Sequence, residues 1–310
     1  MGSKKTAEKK YMPSFTVDVE DGISIAMRDA FGEDIKPTER VLRLTDQILK
    51  IYSDHSVKGT FFVLGLIAEH YPELVQRIEK EGHELAVHGY HHLLFTKMTP
   101  EKAFQELDGA KKLIEDASGA EVFGHRAPAF SINSETSWAF DVLVKCGFEY
   151  DSSVMPCKGP HYGWPEFPNK ITAIHTAKEN KIIEVPMSTM QFLGRNIPAC
   201  GGSYLRLAPY SLTKRFFDTI RKNHHPIVYI HPYELDTERY PDFYFGELKK
   251  APLRTNLSLR SNWLRRSSVA KKLDRLMGID GSVTMLGIIR EREKEGALSK
   301  INLGEDGSLQ

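Results

Sequence analysis

The chain reads as an α/β protein built around a parallel sheet or barrel, and three observations lead there. Short apolar, β-branched runs alternate with segments of helical periodicity as far as about residue 236. Such alternation implies right-handed βαβ units. Several of the apolar runs also end in chemically able polar groups, as happens where buried strands deliver functional side chains to one rim.

The first run, SFTVDVED, is apolar and β-branched and closes on carboxylates. Val41, Leu44, Ile48 and Ile51 fall at helical spacing and predict a helix over about 38–53. VKGTFFVLG predicts a second strand, and PELVQRIEKEG a helix with proline near its start and a glycine stop. HELAVHGY is a third strand running into a turn. The next helix opens with Thr99 as N-cap before Pro100. VFGHRAPAF reads as strand, NSETSWAFDVLVKCG as a helix ending at Gly147, and FEYDSS as strand again.

Residues 156–203 are rich in Pro and Gly and predict long ordered loops around one strand, KIIEVPMS. SLTKRFFDTIRKN predicts a helix, and HPIVYIHPYELD a buried strand ending in polar residues. A basic helical piece over 264–277 follows, and the polar residues from 291 onward are expected to fray.

Composition excludes several classes. Of 310 residues, 42 are Lys or Arg and 41 Asp or Glu, giving a net charge of +1. That balance creates no global field for nucleic acid, so no nucleic-acid partner is expected. No apolar run reaches the ~18 residues of a membrane span. The basic start, MGSKKTAEKKYMPSF, lacks the apolar core of a secretory signal, so a cytoplasmic location is the expectation. Cys146, Cys157 and Cys200 are an odd set without CxxC spacing, and read as small core residues rather than a disulfide or zinc framework.

Four strand ends carry the chemistry. In DVED, alternation puts Asp18 and Glu20 on one face, while a turn is needed to bring Asp21 inward. Clustered carboxylates call for a cation. AVHGYHH holds three histidines, of which His88 and His92, four apart, suit a shared borderline metal, with His91 pointing away. Adding one carboxylate gives a two-histidine, one-carboxylate set with positions left for water. HRAPAFS places Arg126 where it can hold a carboxylate ionised and oriented. VYIHPYELD places His231 as a candidate general acid, with Glu234 and Asp236 close enough in sequence to tune it.

The ordered series DVED, HGYHH, RAPAFS, YDSSVMP and IHPYELD resembles the polysaccharide deacetylase family, the NodB-homology carbohydrate esterases. FLGRNIPACGGSYLRLAPYSL is similar to the glycine-rich segment of the exopolysaccharide- and exosortase-associated subgroup, which carries a C-terminal extension. The resemblance implies a distorted (β/α) barrel of about seven parallel strands with long loops and a C-terminal helical extension. In that arrangement 1–13 is a flexible N-terminus, 14–290 one barrel domain with its extension at 237–290, and 291–310 a polar tail. It implies a divalent metal, Zn2+ before Co2+, Mn2+, Fe2+ or Ni2+, and hydrolysis of N-acetyl groups from amino sugars of a glycan.

Carried over by position, Asp18 is the general base, His88 and His92 are metal ligands, Arg126 orients the base and His231 is the general acid. Asp151 matches the aspartate of the fourth motif, supporting the arginine and histidine. The family's first motif has adjacent aspartates, base then ligand, where this chain has Asp-Val-Glu-Asp; Glu20 is favoured as the metal carboxylate because alternation puts it beside Asp18, and Asp21 is its rival. Ala129 stands where a tyrosine is usual, next to Phe130, and its backbone N–H is a candidate oxyanion donor. Tyr162, Trp164, Phe192 and Tyr204 are candidates for stacking on sugar rings, or for ordinary loop packing. Gly201 and Gly202 provide positive φ or a close backbone approach. Two other readings stand beside this one: a related barrel amidohydrolase acting on a small amide, and a glycan-binding pseudoenzyme.

Overall fold

A computed structural model describes residues 10–159, 162–279 and 281–310. Most of the N-terminus expected to be flexible lies outside the described residues. Where description begins the chain is held: Tyr11 N–H donates to the Arg221 carbonyl at 2.9 Å, and Met12 O accepts from His225 at 2.8 Å.

Among the described residues eleven strands form: β1 (Ser14–Val19), β2 (Thr60–Val63), β3 (Glu84–Val87), β4 (Gly124–His125), β5 (Tyr150–Asp151), β6 (Thr172–Thr176), β7 (Lys181–Glu184), β8 (Thr189–Phe192), β9 (Arg195–Pro198), β10 (Ile227–Ile230) and β11 (Ser299–Leu303). The α-helices are α1 (Gly22–Phe31), α2 (Arg40–Asp54), α3 (Gly65–His70), α4 (Pro72–Lys80), α5 (Pro100–Ser118), α6 (Ala139–Lys145), α7 (Gly202–Leu207), α8 (Tyr210–Ile220), α9 (Asp242–Lys250), α10 (Leu253–Ser261), α11 (Val269–Met277) and α12 (Met285–Lys294).

Seven strands run side by side and parallel, in the order β10-β1-β2-β3-β4-β5-β7. This is the expected parallel set, curled as a distorted α/β barrel. Among the described residues no strand pairing joins β7 back to β10. Ser188, just past β7, spans the gap instead, its hydroxyl accepting from Ile227 N–H at 2.8 Å.

Strand alternation sorts the core into two layers. Outward residues such as Phe15, Val17, Phe61 and Leu85 pack on Leu44 and Ile48 of α2, Leu74 and Ile78 of α4, and Leu107 and Ile114 of α5. Each such side chain, fully buried, contributes roughly 1.5–3 kcal/mol. Inward residues Phe62, Ala86, Tyr150, Ile183, Ile227 and Tyr229 form a second cluster with Met285, Ile288 and Ile289 of α12. The start of α12 closes the N-terminal end of the barrel, where Met285 N–H donates to the Thr60 hydroxyl and Leu286 N–H to Glu84. The opposite end, where strands finish, stays open for chemistry.

Local signals behave as their chemistry requires. The Thr99 hydroxyl accepts from Lys102 N–H at the start of α5, and Gly119 ends that helix at φ 71°. Two expectations need correction. First, 156–203 is not one strand among loops, since it also holds β6 and the β8–β9 hairpin. The hairpin turns at Leu193 and Gly194, both at positive φ (48° and 75°), as a two-residue turn demands.

Second, the tail does not fray. Residues 299–303 pair in parallel with β6, burying Ile301 and Leu303 while Lys300 and Asn302 face outward. That is a period of two hidden in polar composition. Helix α1, which the sequence reading did not predict, follows directly on DVED, because Asp21 caps it.

Candidate active site

The polar groups that the strands deliver to the site all lie on the inward parity of their strands. From β1 these are Thr16, Asp18 and Glu20; beyond β3, His88; beyond β4, Arg126; beyond β5, Ser152; beyond β10, His231. All are buried except His231, which is partly so.

Glu20 Oε2 lies 3.1 Å from His92 Nε2 and 3.8 Å from His88 Nε2. The ligand atoms of these three residues all fall within 4.8 Å of one another. Tetrahedral ligands about 2.0–2.1 Å from a zinc ion stand roughly 3.4 Å apart, so the spacing fits such an ion. Two further observations support the fit. Glu20 Oε2 is buried without a hydrogen-bond partner among the described residues. His88 Nδ1 donates to the Arg126 carbonyl at 2.9 Å, which leaves the Nε2 lone pair facing Glu20. Asp29 of α1 stands behind His92, 3.6 Å from its Nδ1.

The turn carrying the histidines is not helical. Gly89 (φ 83°) and His92 (φ 58°) both adopt left-handed backbone, which folds His92 back toward His88. A histidine held at positive φ is strain of the kind that surrounding structure must over-determine. His91 points away and binds Glu106 at 3.0 Å, as its position in the turn suggested.

Asp18 is the other pole. Arg126, wholly buried, gives its Nη1 to Asp18 Oδ1 at 2.7 Å and to the Thr16 hydroxyl at 2.9 Å. Its remaining nitrogens bond the carbonyl and hydroxyl of Ser152, and the guanidinium lies 4.0 Å over the Phe62 ring. The second Asp18 oxygen is 3.8 Å from His231 Nε2, which also stands 3.4 Å from Glu20 Oε1. His231 Nδ1 is held by Glu234 at 3.1 Å, and Tyr233 stacks on the ring at 4.9 Å. Arg206 of α7 backs Glu234 at 3.5 Å.

Charge sharing sets the protonation of these groups. Burial alone raises the Glu20 carboxyl, but His92, His231 and His88 outweigh it and bring it down to about 2. Burial lowers His231, and Glu20, Glu234 and Asp18 reverse this and lift it to about 9. His92 rises likewise to about 9 against burial, through Glu20 and Asp29. His88 falls to about 4, because burial beats its carboxylate neighbours.

Several sequence expectations are revised. Asp21 does not join the cluster: its carboxylate accepts from Ser24 N–H at 2.9 Å and from the Thr38 hydroxyl at 2.8 Å, capping α1. Asp151 does not support Arg126 or His231. It lies one residue out of phase on β5, on the outward face, and binds His125 at 2.8 Å and Ser153 at 2.7 Å. Beside it, burial and the Asp151 charge hold the Glu184 carboxyl far above its ordinary value, so Glu184 keeps its proton.

Asp236 pairs with Arg40 at 2.8 Å rather than with His231. Trp164 is 2% exposed, packed against Phe167 in the outer core, and presents no face to a ligand. Phe130 is also buried, edge-on to Tyr229 at 5.0 Å, and forms floor rather than wall. Ala129 is exposed with φ 49°. Tyr204 is 41% exposed and shares a hydrogen bond with Tyr162; Phe192 is exposed on the hairpin. Gly201 serves close approach, since a Cβ there would sit 2.0 Å from the Tyr229 ring, and Gly202 serves both ends, at φ 48° and against the same tyrosine.

Sequence reading missed Asp29, Thr16, Ser152 and Arg206. Thr16 and Ser152 were findable by extending the inward parity along their strands. Nothing in the sequence marks Asp29 or Arg206.

Fold and site together define a distorted α/β barrel with a two-histidine, one-carboxylate pocket beside an arginine-held aspartate. The polysaccharide deacetylase family model matches residues 34–150, and a model described as a domain of unknown function (DUF3473) matches 152–285. Over residues 34–150 the chain is thus similar to the polysaccharide deacetylase family. Both matched segments contribute strands to the one sheet, which crosses between them where β5 pairs with β7.

The chain is 32% identical over 113 residues to the peptidoglycan-N-acetylmuramic acid deacetylase PdaC of Bacillus subtilis, covering 33% of this chain and 24% of that relative. It is 31% identical to a peptidoglycan deacetylase of Helicobacter pylori, covering 35% and 36% of the two chains. It is also 31% identical to a chitooligosaccharide deacetylase of a Bradyrhizobium species, covering 32% and 43%. The matches thus span less than half the length of these relatives. In fold, a polysaccharide deacetylase structure from Mycobacterium smegmatis superposes with TM-score 0.63 at 20% identity, over 95% of this chain and 93% of that one.

Proposed function

We propose that the protein is a metal-dependent hydrolase that removes N-acetyl groups from the amino sugars of a poly- or oligosaccharide. The observation that supports this most is the convergence of Glu20, His88 and His92 within 4.8 Å, with His231 3.4 Å from Glu20 and Asp18 3.8 Å from His231. Glu20, His88 and His92 would hold a divalent cation, most simply Zn2+, which when bound supplies Lewis acidity toward a water and an amide carbonyl.

The chain's own groups divide the remaining work. Asp18, fixed by Arg126, accepts a proton from the attacking water. As the water oxygen bonds to the amide carbon, the developing oxyanion faces the Ala129 backbone, whose N–H is the proposed donor. The C–N bond then breaks. His231, held by Glu234, gives its proton to the departing nitrogen. Acetate and a free amino sugar result. Tyr204 and Phe192, exposed on neighbouring segments, are the proposed sugar-stacking surfaces. The relatives described as peptidoglycan and chitooligosaccharide deacetylases suggest N-acetylated amino-sugar chains as the substrate class.

The test is acetate release from N-acetylglucosamine oligomers. Asp18→Asn and His231→Ala should each lower the rate by about 10²–10⁴-fold, the ordinary worth of a positioned acid or base. A rate within threefold of wild type for either variant would remove that residue from the mechanism.

A further inference from the structure

The chain is almost neutral, but its charge is unevenly placed. From Lys249 to Arg275 stand nine Lys or Arg and one carboxylate, Asp274, a net +8 within a chain of net +1. Asp274 is engaged by His55 at 2.8 Å. Two of the nine cations are turned inward. Arg266 bonds the Asn262 carbonyl and the Tyr240 hydroxyl, and Lys272 donates to the carbonyls of Leu205, Arg206 and Ala208. Lys249, Lys250, Arg254, Arg260, Arg265, Lys271 and Arg275 are exposed.

The same segment exposes aliphatic surface. No residue of α10 is buried. Its inner side, Leu259 with Trp263 after it, packs on the cluster around Tyr240 and Tyr244. Its outer side carries Leu253, 74% exposed, and Leu257, 59% exposed, one helical turn apart. Leu264, 57% exposed, lies three residues past the end of α10, and Arg254, Arg260 and Arg265 flank the three leucines in sequence.

We infer that this segment is a docking surface for an anionic lipid bilayer. Leu253, Leu257 and Leu264 enter the headgroup boundary, and the flanking arginines meet lipid phosphates. The charges alone suit any polyanion. The exposed leucines choose the bilayer, because a hydrated anionic polymer gives them nothing to bury against. The surface is also tied to the site: Arg206 Nη1 donates to the carbonyls of Ser261 (2.9 Å) and Leu264 (2.7 Å) while its Nε stands against Glu234, the partner of His231. A docked molecule therefore holds its open barrel end in a fixed relation to the membrane.

The test is co-sedimentation of the full chain with vesicles of phosphatidylcholine alone, and of about seven parts phosphatidylcholine to three of phosphatidylglycerol. Binding is expected to the mixed vesicles only, falling as salt rises. Leu253→Ser/Leu257→Ser should weaken it at least about tenfold. Arg254→Glu/Arg265→Glu should do the same with all leucines kept, and both variants should melt like wild type. Three results would overturn the proposal: no binding to mixed vesicles, equal binding to both vesicle types, or leucine variants that bind as wild type. Vesicle binding abolished by soluble polygalacturonate, with the leucine variants unaffected, would assign the surface to an acidic polysaccharide instead.

Discussion

Replacing Arg126 by Met removes the one cation among the described residues that faces the buried Asp18 carboxylate at hydrogen-bond distance, 2.7 Å away. Asp18 is 1% exposed and Arg126 fully buried, so solvent cannot replace the lost partner. Breaking a buried pair from one side costs about 3–5 kcal/mol, mostly as the penalty of the stranded charge. Methionine keeps much of the packing over Phe62 but none of the bonds to Thr16 and Ser152. At roughly 2–4 °C per kcal/mol the melting temperature should fall by about 6–20 °C. Asp18→Asn should cost a similar amount, since it strands the guanidinium. The double variant should cost less than the sum by at least about 2 kcal/mol, because neither charge is then alone. Urea unfolding of chelator-treated protein, followed by circular dichroism, measures all four corners. A single-variant cost below about 1 kcal/mol, or strict additivity, would refute the claim that Arg126 exists to hold Asp18.

Two further outcomes follow from the packing. His83 is 7% exposed among Tyr52 and Phe61, and its Nδ1 accepts from Gly59 N–H at 3.2 Å. Burial, then Lys58, drop it from 6.5 to about 4. The unfolded chain therefore takes up this proton first: the stability is whole above about pH 6.5 and is lost as pH falls toward 4, up to about 3 kcal/mol in all. His83→Gln should flatten that part of the stability–pH curve; an unchanged slope would contradict the assignment. Ile301→Ala, in the terminal strand, should cost about 2–4 kcal/mol and expose the last residues to protease. A tail that is merely polar would show neither effect.

What was legible in the sequence was the pairing of strand ends with reactive groups. Asp18, Glu20, His88, Arg126 and His231 stand out because apolar strands stop at them, and strand alternation brings their side chains to one face. Asp151 shows the limit of motif position: a shift of one residue turned it outward to His125. Trp164 shows another, because an aromatic residue in a Pro/Gly-rich stretch gives no sign of whether it is wall or core. Asp29 and Arg206 act from separate helices through folding alone. The terminal strand was hidden because only two of its five residues are apolar enough to bury.

The central claim is that Glu20, His88 and His92 hold the cation on which amide hydrolysis depends. It is tested most directly by measuring acetate released from N-acetylglucosamine oligomers as Zn2+ is returned to chelated protein, with Glu20→Gln beside wild type. The expected result is no acetate from the chelated protein, recovery complete near one ion per chain, and no recovery for Glu20→Gln over the same range. Undiminished release by the metal-free protein, or full recovery by Glu20→Gln at one ion per chain, would contradict it.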